Sequence, residues 1–345
     1  MYEDQIASIV SLKKLSAYEE PYNLYEVSID YDYDLDALTG EPCRTDQGYL
    51  DAAAAQVLPG IPITVTAPTF ACSAFRAVDP DGVLMGRNYD FKDDTSALLV
   101  RTNPKDGYAS IAFCALNNLR ANVADEGLKS RAAAIVAPFA CLDGVNEKGV
   151  SVAVLTLDSE PVDQATEKPA ISTSLAIRLV LDRAATTEEA VSLLSSYDMH
   201  ASAGRDYHFF INDAEGDSRV VEYDPADAGR ALVATPSREI TNYYALYTDR
   251  VQPNQHNGIY GHGKERALAI ARVLDAHEGE QGIGAAWEAL KASAQEPNPD
   301  DITSNTQWSI VYDNTRRTAA FTLRRHWGDV FDFSVDDVEH QARPR

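Results

Sequence analysis

Alternation of large apolar and polar side chains predicts a β-strand near the start of the chain, over residues 22–31. From residue 72 to about 160 strand patterns dominate, and 110–115 and 151–157 are the clearest of them. A short helix is expected between these two. Further strands are predicted at 207–212, 218–223, 307–312 and 319–324. The turn-forming sequence from Asp143 to Gly149 is interpreted as a tight connection before the strand at 151–157.

Helical patterns occupy the stretches between these strands. The apolar residues of 174–184 fit a buried helix, and Thr186 with Glu189 forms a capping box for a second helix that runs to Leu194. Two more helices are predicted from Lys264 to about His277 and from Ala285 to Ala294. Strand pairs at both ends with helix pairs between them predict an α+β fold, in layers around one core.

One predicted hairpin collects the residues of greatest chemical interest. A strand containing Cys72 leads through a turn at 79–82 into a second strand containing Arg87 and Asp90. On an extended strand Arg87 and Asp90 point to opposite faces, so we expect a bulge or the strand end near Asp90 to bring both towards the cysteine. A thiol, a guanidinium and a carboxylate together are the parts of an activated nucleophile.

Composition and charge exclude several classes of function. The chain has 345 residues, 45% of them hydrophobic, and a formal net charge of −23 from 30 basic and 53 acidic side chains. Such a surface repels nucleic acids and anionic membranes. No apolar run approaches the roughly 18 residues of a membrane span, and the N-terminus lacks the pattern of a signal peptide. We therefore expect a cytoplasmic protein without a membrane span.

The four cysteines show neither Cys-x-x-Cys spacing nor the density of a disulfide framework. Cys43, Cys114 and Cys141 are interpreted as small buried hydrophobic residues. His200 and His208 do not form a recognised metal-ligand pattern, so we expect them to be packed or exposed histidines.

The sequence contains an ordered set of motifs between residue 72 and about residue 325. It resembles the choloylglycine hydrolase family of N-terminal nucleophile hydrolases, which includes bile salt hydrolases and penicillin V acylases and has acid ceramidase and N-acylethanolamine acid amidase as relatives. The motifs are Cys72-Ser73-x-Phe75, Gly86–Phe91, Asp143–Val150, Tyr197–His200, Tyr207–Ile211, Val220–Tyr223, Thr241-Asn242 and Trp308–Asp313.

This resemblance implies a four-layer αββα sandwich in which Cys72 becomes an N-terminal residue when the Ala71–Cys72 bond is cleaved autocatalytically. The freed α-amine, with a reference pKa of roughly 7.7 to 8.0, can accept the thiol proton, so that one residue supplies nucleophile and base. The resemblance implies that the residue matching Asp90 holds this amine and that the residue matching Arg87 favours the thiolate.

Three more site residues are assigned by the resemblance alone. It implies that the side-chain amide of Asn242 is an oxyanion donor. A second donor maps to Thr156, a position that is often asparagine in bile salt hydrolases and tyrosine in penicillin V acylases. Arg266 aligns loosely with a further family arginine, and a solvated helix residue is the competing interpretation. Neither a metal nor an organic cofactor is implied.

The expected organisation is an N-terminal segment, residues 1–71, followed by a catalytic domain, residues 72–345. The segment is either removed or retained after cleavage, and we favour its association with residues 72–345. The expected partner is a small-molecule N-acyl amide, and a homo-oligomer stays open. Bile salt hydrolase and penicillin V acylase are the specific alternatives. A non-catalytic binding protein with the same fold is the alternative of another class, whereas no order of Cys, His and Asn supports a papain-type enzyme.

Overall fold

The computed structural model describes residues 2–19, 22–58, 71–256, 258–279, 281–298, 300 and 304–339. The sequence Pro59-Gly60-Ile61-Pro62, which predicts a break just before the cysteine strand, lies outside the described residues.

Eight α-helices and seventeen strands occur in the described part of the chain. The helices are α1 Glu3–Ser11, α2 Asp46–Val57, α3 Gly127–Ala134, α4 Thr173–Arg183, α5 Thr187–Ser195, α6 Lys264–Ala276, α7 Gly282–Ser293 and α8 Asp336–Glu339. The strands are β1 Lys13–Lys14, β2 Leu24–Ile29, β3 Ala71–Asp79, β4 Gly82–Asp90, β5 Ala97–Thr102, β6 Ser110–Ala115, β7 Asp143–Asn146, β8 Ser151–Leu157, β9 Ala170–Ser172, β10 Asp198–His200, β11 Asp206–Asn212, β12 Ser218–Tyr223, β13 Leu232–Pro236, β14 Glu239–Ile240, β15 Thr306–Asp313, β16 Thr318–Leu323 and β17 Phe331–Ser334. Short 3₁₀ turns occur at Asp36–Leu38, Glu41–Arg44, Leu116–Leu119, Ala137–Ala140, Ser202–Gly204 and Ala245–Arg250.

Two large sheets form the centre of the fold. Over the described residues one sheet has nine strands in the order β1-β2-β5-β6-β7-β8-β11-β12-β13, and the other has six in the order β14-β3-β4-β15-β16-β17. Strand β3 contacts β8 and β11 of the nine-stranded sheet, so the two sheets pack face to face. Helices α4 and α5 pack on the nine-stranded sheet, and α6 and α7 pack against the six-stranded sheet through α7·β4 and α6·β3 contacts. The result is the αββα sandwich that the resemblance implies, within the α+β class that the pattern of elements predicts.

The cysteine hairpin lies in the middle of the six-stranded sheet. Strands β3 and β4 pair antiparallel from Ala71↔Asp90 to Asp79↔Gly82, which leaves a two-residue connection as predicted. Gly86 of β4 faces Phe75 of β3 so closely that a Cβ atom at this position would lie 2.1 Å from the phenyl ring. The ring therefore occupies space that only glycine leaves free, and it belongs to the core shared with α6 and α7.

The N-terminal segment shares the main core instead of folding apart. Strand β2 pairs in parallel with β5, in the register Leu24↔Ala97 to Ile29↔Thr102. Its side chains are almost wholly buried and belong to the same apolar cluster as the strands after residue 72. The predicted strand at 22–31 is thus confirmed, and it lies within the nine-stranded sheet.

The interpretation of 143–149 as a turn was wrong for its first half. Asp143–Asn146 forms strand β7, and the turn is confined to Glu147–Gly149. Gly144 is a strand residue whose missing side chain allows close packing, since a Cβ there would lie 2.8 Å from the Ile111 carbonyl oxygen. The turn glycine is Gly149, with φ of +80°.

The predicted capping interaction at the start of α5 is present with one difference. Thr186 caps the helix by accepting from the Glu189 N–H at 3.1 Å. The Glu189 carboxylate accepts from the Ala185 N–H at 2.8 Å, one residue earlier than in a capping box.

Candidate active site

Cys72 lies near the start of β3, between the two sheets, and is fully buried in the uncleaved chain. Burial raises the pKa of its thiol to about 11, and the charge of Arg87 together with hydrogen bonds from the Arg87 side chain and the Asp90 backbone opposes this rise. All four cysteines are free and buried, as predicted for Cys43, Cys114 and Cys141. Cys72 therefore differs from the others in its polar neighbours, and burial does not distinguish it.

Arg87 is a wholly buried arginine whose donors are fixed from three directions. Its Nε donates to Asp143 Oδ2 at 3.3 Å, its Nη1 to the Asn88 carbonyl at 2.7 Å and its Nη2 to the Val154 carbonyl at 2.9 Å. Asp143 and Val154 belong to the nine-stranded sheet, so the guanidinium lies between the sheets, on the side of the thiol. A positive charge held beside a thiol favours the thiolate.

Asp143 is the counterion of Arg87, and sequence reasoning missed it. The two side chains form an ion pair with no solvent exposure. The Asp143 carboxylate also accepts from Tyr312 Oη at 2.5 Å and from Trp308 Nε1 at 3.3 Å. Asp143 was visible in a quoted motif, but it was interpreted as part of a turn.

The Asp90 side chain points to the face of the six-stranded sheet opposite that of Arg87, as strand alternation requires. Its carboxylate accepts from Thr306 Oγ1 at 2.6 Å, Gln295 Nε2 at 3.0 Å and Arg266 Nη1 at 3.2 Å. Burial raises the pKa of Asp90, and the charge of Arg266 opposes that rise most strongly. No sequence signal pointed to Gln295 or Thr306.

The expected irregularity near Asp90 is present on the neighbouring strand. Asp90 is the last residue of β4, and the register of β15 shifts between Thr306 and Trp308, opposite Asp90 and Tyr89. Arg87 therefore lies beside the Cys72 sulfur, whereas the Asp90 carboxylate is linked to the Cys72 backbone through Arg266, which donates to both Asp90 and the Cys72 carbonyl.

Asn242 contacts the atom that would become the α-amine. The backbone N–H of Cys72 donates to Asn242 Oδ1 at 3.0 Å, and Asn242 Nδ2 donates to the Thr156 carbonyl at 2.7 Å. In the uncleaved chain Asn242 thus holds the nitrogen that the resemblance assigns to Asp90. Asn242 and Cys72 lie 170 positions apart in sequence, so only the fold brings them together.

Arg266 links the groups around the cysteine backbone. It lies in the first turn of α6 and is mostly buried, unlike the solvated helix residue of the competing interpretation. Its Nη1 donates to the Cys72 carbonyl at 2.9 Å and to Asp90, and its Nη2 donates to Asn242 Oδ1 at 2.6 Å. One guanidinium therefore joins nucleophile, carboxylate and amide.

Thr156 reaches the site through its backbone. Its carbonyl accepts from Asn242, whereas its hydroxyl is buried and has no hydrogen-bond partner among the described residues. All six residues singled out from the sequence are thus brought into one cluster.

The motif residues Asn146 and Gly149 lie away from this cluster and fix backbone geometry. Asn146 Nδ2 donates to the carbonyls of Leu181 and Ala184 at 3.0 and 2.8 Å, which ties the end of β7 to α4. A Cβ at Gly149 would lie 2.3 Å from the Asn314 carbonyl oxygen.

Two surface grooves and the distribution of metal-ligating side chains complete the description. One groove of about 400 Å³ is lined by Ile240, Tyr243 and Lys264 among others, and another of about 490 Å³ by Gln164 and Tyr197 among others; neither is lined by Cys72. Within the described ranges no group of three or more His, Cys, Asp or Glu side chains could hold a metal ion. The described helices are all too short or too polar to cross a membrane.

Comparison with known proteins gives a family. A family model described as acyl-coenzyme A:6-aminopenicillanic acid acyl-transferase matches residues 78–326, well over half of the chain. Penicillin V acylase from Pectobacterium atrosepticum is 29% identical over 178 residues, which is 46% of this chain and 46% of that protein. The match thus spans about half the length of this curated relative.

Solved structures show the same fold. Penicillin V acylase from Agrobacterium tumefaciens superposes with a TM-score of 0.55 at 19% identity, covering 76% of this chain and 86% of that one. A variant of the conjugated bile acid hydrolase from Clostridium perfringens gives a TM-score of 0.57 at 14% identity, covering 77% and 93%. The resemblance and the N-terminal nucleophile sandwich predicted from the sequence are confirmed.

Proposed function

Because the chain belongs to the acyl-coenzyme A:6-aminopenicillanic acid acyl-transferase family, we propose that it is a cysteine amidohydrolase that cleaves linear, non-peptide C–N bonds of N-acyl compounds. The observation that carries this proposal is the network around Cys72. Arg87 faces the sulfur, and Asn242 and Arg266 hold the backbone nitrogen and carbonyl of the same residue. Each part of the cysteine that the chemistry would use has its own polar partner.

The first step is cleavage of the Ala71–Cys72 bond. The Cys72 sulfur attacks the Ala71 carbonyl carbon, the C–N bond breaks as the nitrogen takes a proton, and water then hydrolyses the resulting thioester. The products are an Ala71 carboxylate and a free amine on Cys72. Asn242 Oδ1 already accepts from this nitrogen, so the freed amine is held beside its own thiol.

The amine then acts as base for the thiol. It takes the thiol proton, and the sulfur attacks the amide carbon of the substrate. The negative charge that develops on the amide oxygen requires preorganised donors. Asn242 Nδ2 uses one N–H on Thr156, which leaves its second N–H for the oxyanion within the described contacts. Return of the proton to the departing amine gives a thioester, which water hydrolyses to a carboxylic acid and free Cys72.

The N-terminal segment, residues 1–71, remains attached after this cleavage. Tyrosine hydroxyls reach across from it to the rest of the chain: Tyr31 donates to the Ile135 carbonyl at 2.5 Å and Tyr49 to the Phe139 carbonyl at 2.8 Å. Together with the β2–β5 pairing, these contacts support a two-chain protein in which residues 1–71 are a small subunit.

Acyl transfer is the second candidate, and the description of the matching family favours it. An amine that attacks the thioester in place of water gives a new amide and the same free thiol. The site chemistry up to the thioester is shared, so the two outcomes differ only in the nucleophile of the last step.

The test compares wild type with Cys72→Ala. Both are incubated with penicillin V, glycine-conjugated bile salts and N-acylethanolamines, and the released amine is assayed with and without an added amine acceptor. We expect amine release by wild type on one of these classes and none by Cys72→Ala. Normal turnover by Cys72→Ala contradicts a cysteine mechanism. No turnover of any of these compounds by cleaved wild type contradicts the proposed activity.

A further inference from the structure

Another pair of buried titratable side chains contacts the loop that contains Asn242 and has no part in the chemistry described above. His208 of β11 and Glu222 of β12 are both fully buried, and His208 Nδ1 lies 3.4 Å from Glu222 Oε2. Burying a polar pair at this depth is unfavourable unless hydrogen bonds satisfy it. The partners of the two side chains therefore indicate what the pair does.

Those partners are the two sides of the loop that contains Asn242. His208 Nε2 lies 3.0 Å from the carbonyl of Thr241, immediately before Asn242. Glu222 Oε2 and Oε1 accept from the backbone N–H groups of Ala245 and Leu246 at 3.0 and 2.6 Å, just after it.

The partner of His208 Nε2 determines which of the two atoms donates the hydrogen bond. The Thr241 carbonyl can only accept a hydrogen bond, so Nε2 carries the proton of that contact. Nδ1 lies 3.4 Å from Glu222 Oε2, so the imidazole is held between that carboxylate and the Thr241 carbonyl. Every polar atom of the two side chains then has a role in holding the loop.

Other contacts connect the same loop to the site. Thr241 Oγ1 donates to the Gly263 carbonyl at 2.8 Å, and the Asn242 carbonyl accepts from the His262 N–H at 2.8 Å. Gly263 immediately precedes helix α6, which carries Arg266. The position of the loop thus determines where both Asn242 and Arg266 meet Cys72.

We propose that His208 and Glu222 are positioning residues that clamp the backbone on either side of Asn242 and thereby fix its amide against Cys72. The catalytic consequence rests on the proposed function, whereas the structural consequence does not. A misplacement of about 1 Å in a catalytic group can lower the rate on the order of 100-fold. Loss of the clamp should therefore lower kcat and leave KM nearly unchanged.

The experiment uses two substitutions at one position with a matched control. His208→Asn keeps a donor near Nδ1 and loses the contact with Thr241, whereas His208→Gln keeps an amide near Nε2. The control is His200→Asn, because His200 also pairs with a carboxylate, Asp163, at 2.5 Å, on a different part of the fold. Hydrogen exchange of the peptide spanning residues 241–262 is measured by mass spectrometry, and kcat and KM are measured with the probe substrate that wild type turns over.

We expect His208→Asn to accelerate exchange in 241–262 at least tenfold and to lower kcat about 10- to 100-fold with KM within about threefold. His208→Gln should retain more of both properties, and His200→Asn should match wild type. In an Asn242→Ala background His208→Asn should cause no further loss of kcat, because the clamp acts through Asn242. Unchanged exchange, or a full further loss in that background, would overturn the proposal. If wild type turns over no probe, the proposed function fails and the exchange result alone decides on the clamp.

Discussion

Arg87 and Arg178 are two fully buried arginines with similar surroundings and different consequences. Each forms an ion pair with a buried aspartate, Asp143 for Arg87 and Asp182 for Arg178. Only Arg87 is directed at Cys72, where its charge opposes the effect of burial on the thiol pKa. The difference lies in position, and it makes Arg178 a natural control for Arg87.

Replacing Arg87 by glutamine should make Cys72 harder to ionise. Because an opposite charge within about 4–6 Å lowers the pKa of an acid by about 1–3, its removal should shift the ionisation of the thiol to higher pH by a similar amount. The measurement is the pH dependence of Cys72 alkylation in the cleaved protein, followed by peptide mass spectrometry. Arg178→Gln also removes a buried charge and should leave this profile in place. Equal profiles for wild type and Arg87→Gln would contradict a role of Arg87 at the thiol.

The sequence predicted those site residues that lie close together along the chain. Cys72, Arg87 and Asp90 belong to one hairpin, so the predicted turn was enough to group them, although strand alternation placed Arg87 and Asp90 on opposite faces. Asn242 was found only through family resemblance, because 170 positions separate it from Cys72. The partners Asp143, Gln295 and Thr306 contact the site through tertiary packing, which leaves no local pattern in a sequence.

At the level of elements, the β3–β4 hairpin is held from both sides. One face carries Cys72 and Arg87 towards the nine-stranded sheet, and the other packs Phe75 and Leu84 against α6 and α7. Any change that tilts this hairpin moves the nucleophile and its arginine together. The close contact of Gly86 with the Phe75 ring is the most sensitive point for such a tilt.

Gly86→Ala should therefore destabilise the protein and reduce cleavage at Ala71. Overpacking a core typically costs about 1–3 kcal/mol, and the new methyl group would have to displace the Phe75 ring. Urea unfolding measures the loss. Gly284→Ala is the control, because a Cβ on this residue of α7 meets no atom within 4 Å and alanine favours the helix by up to about 1 kcal/mol. Equal midpoints for Gly86→Ala and wild type would rule out the tight packing described.

Element boundaries followed from the sequence where apolar periodicity was strong. Strands β6 and β8 match their predicted bounds. Strand β7 was missed because glycine is a common turn residue. Gly144 instead lies within the strand, where its missing side chain allows close packing with Ile111. The parallel pairing of β2 with β5 could not be predicted, since it joins two stretches that lie far apart in the sequence.

For the whole molecule, the proposed cleavage would divide a single core between two chains. Glu26 of β2 pairs with Arg101 of β5 across the division and also with Lys13. Burial alone would raise the pKa of Glu26, yet Lys13 and Arg101 together hold it below its usual value. A carboxyl group with a lowered folded-state pKa stabilises the folded form above its unfolded pKa and loses that contribution as the pH falls through the lowered value.

Residues 1–71 should accordingly co-purify with residues 72–345 at neutral pH and dissociate more readily in acid. Size-exclusion chromatography at pH 7 and pH 4, with each fraction analysed by denaturing gel, measures the attachment. Glu26→Gln should weaken attachment at pH 7 and reduce its pH dependence. A small fragment that separates freely from wild type at pH 7 would show that the segment is a removable leader.

The central claim is that Cys72 becomes an N-terminal nucleophile, and the mass of the denatured protein tests it most directly. Mass spectrometry of purified wild type should show two polypeptides, one ending at Ala71 and one beginning at Cys72, and Cys72→Ala should remain a single chain. A wild type that stays uncut while it hydrolyses N-acyl amides at full rate would contradict the account.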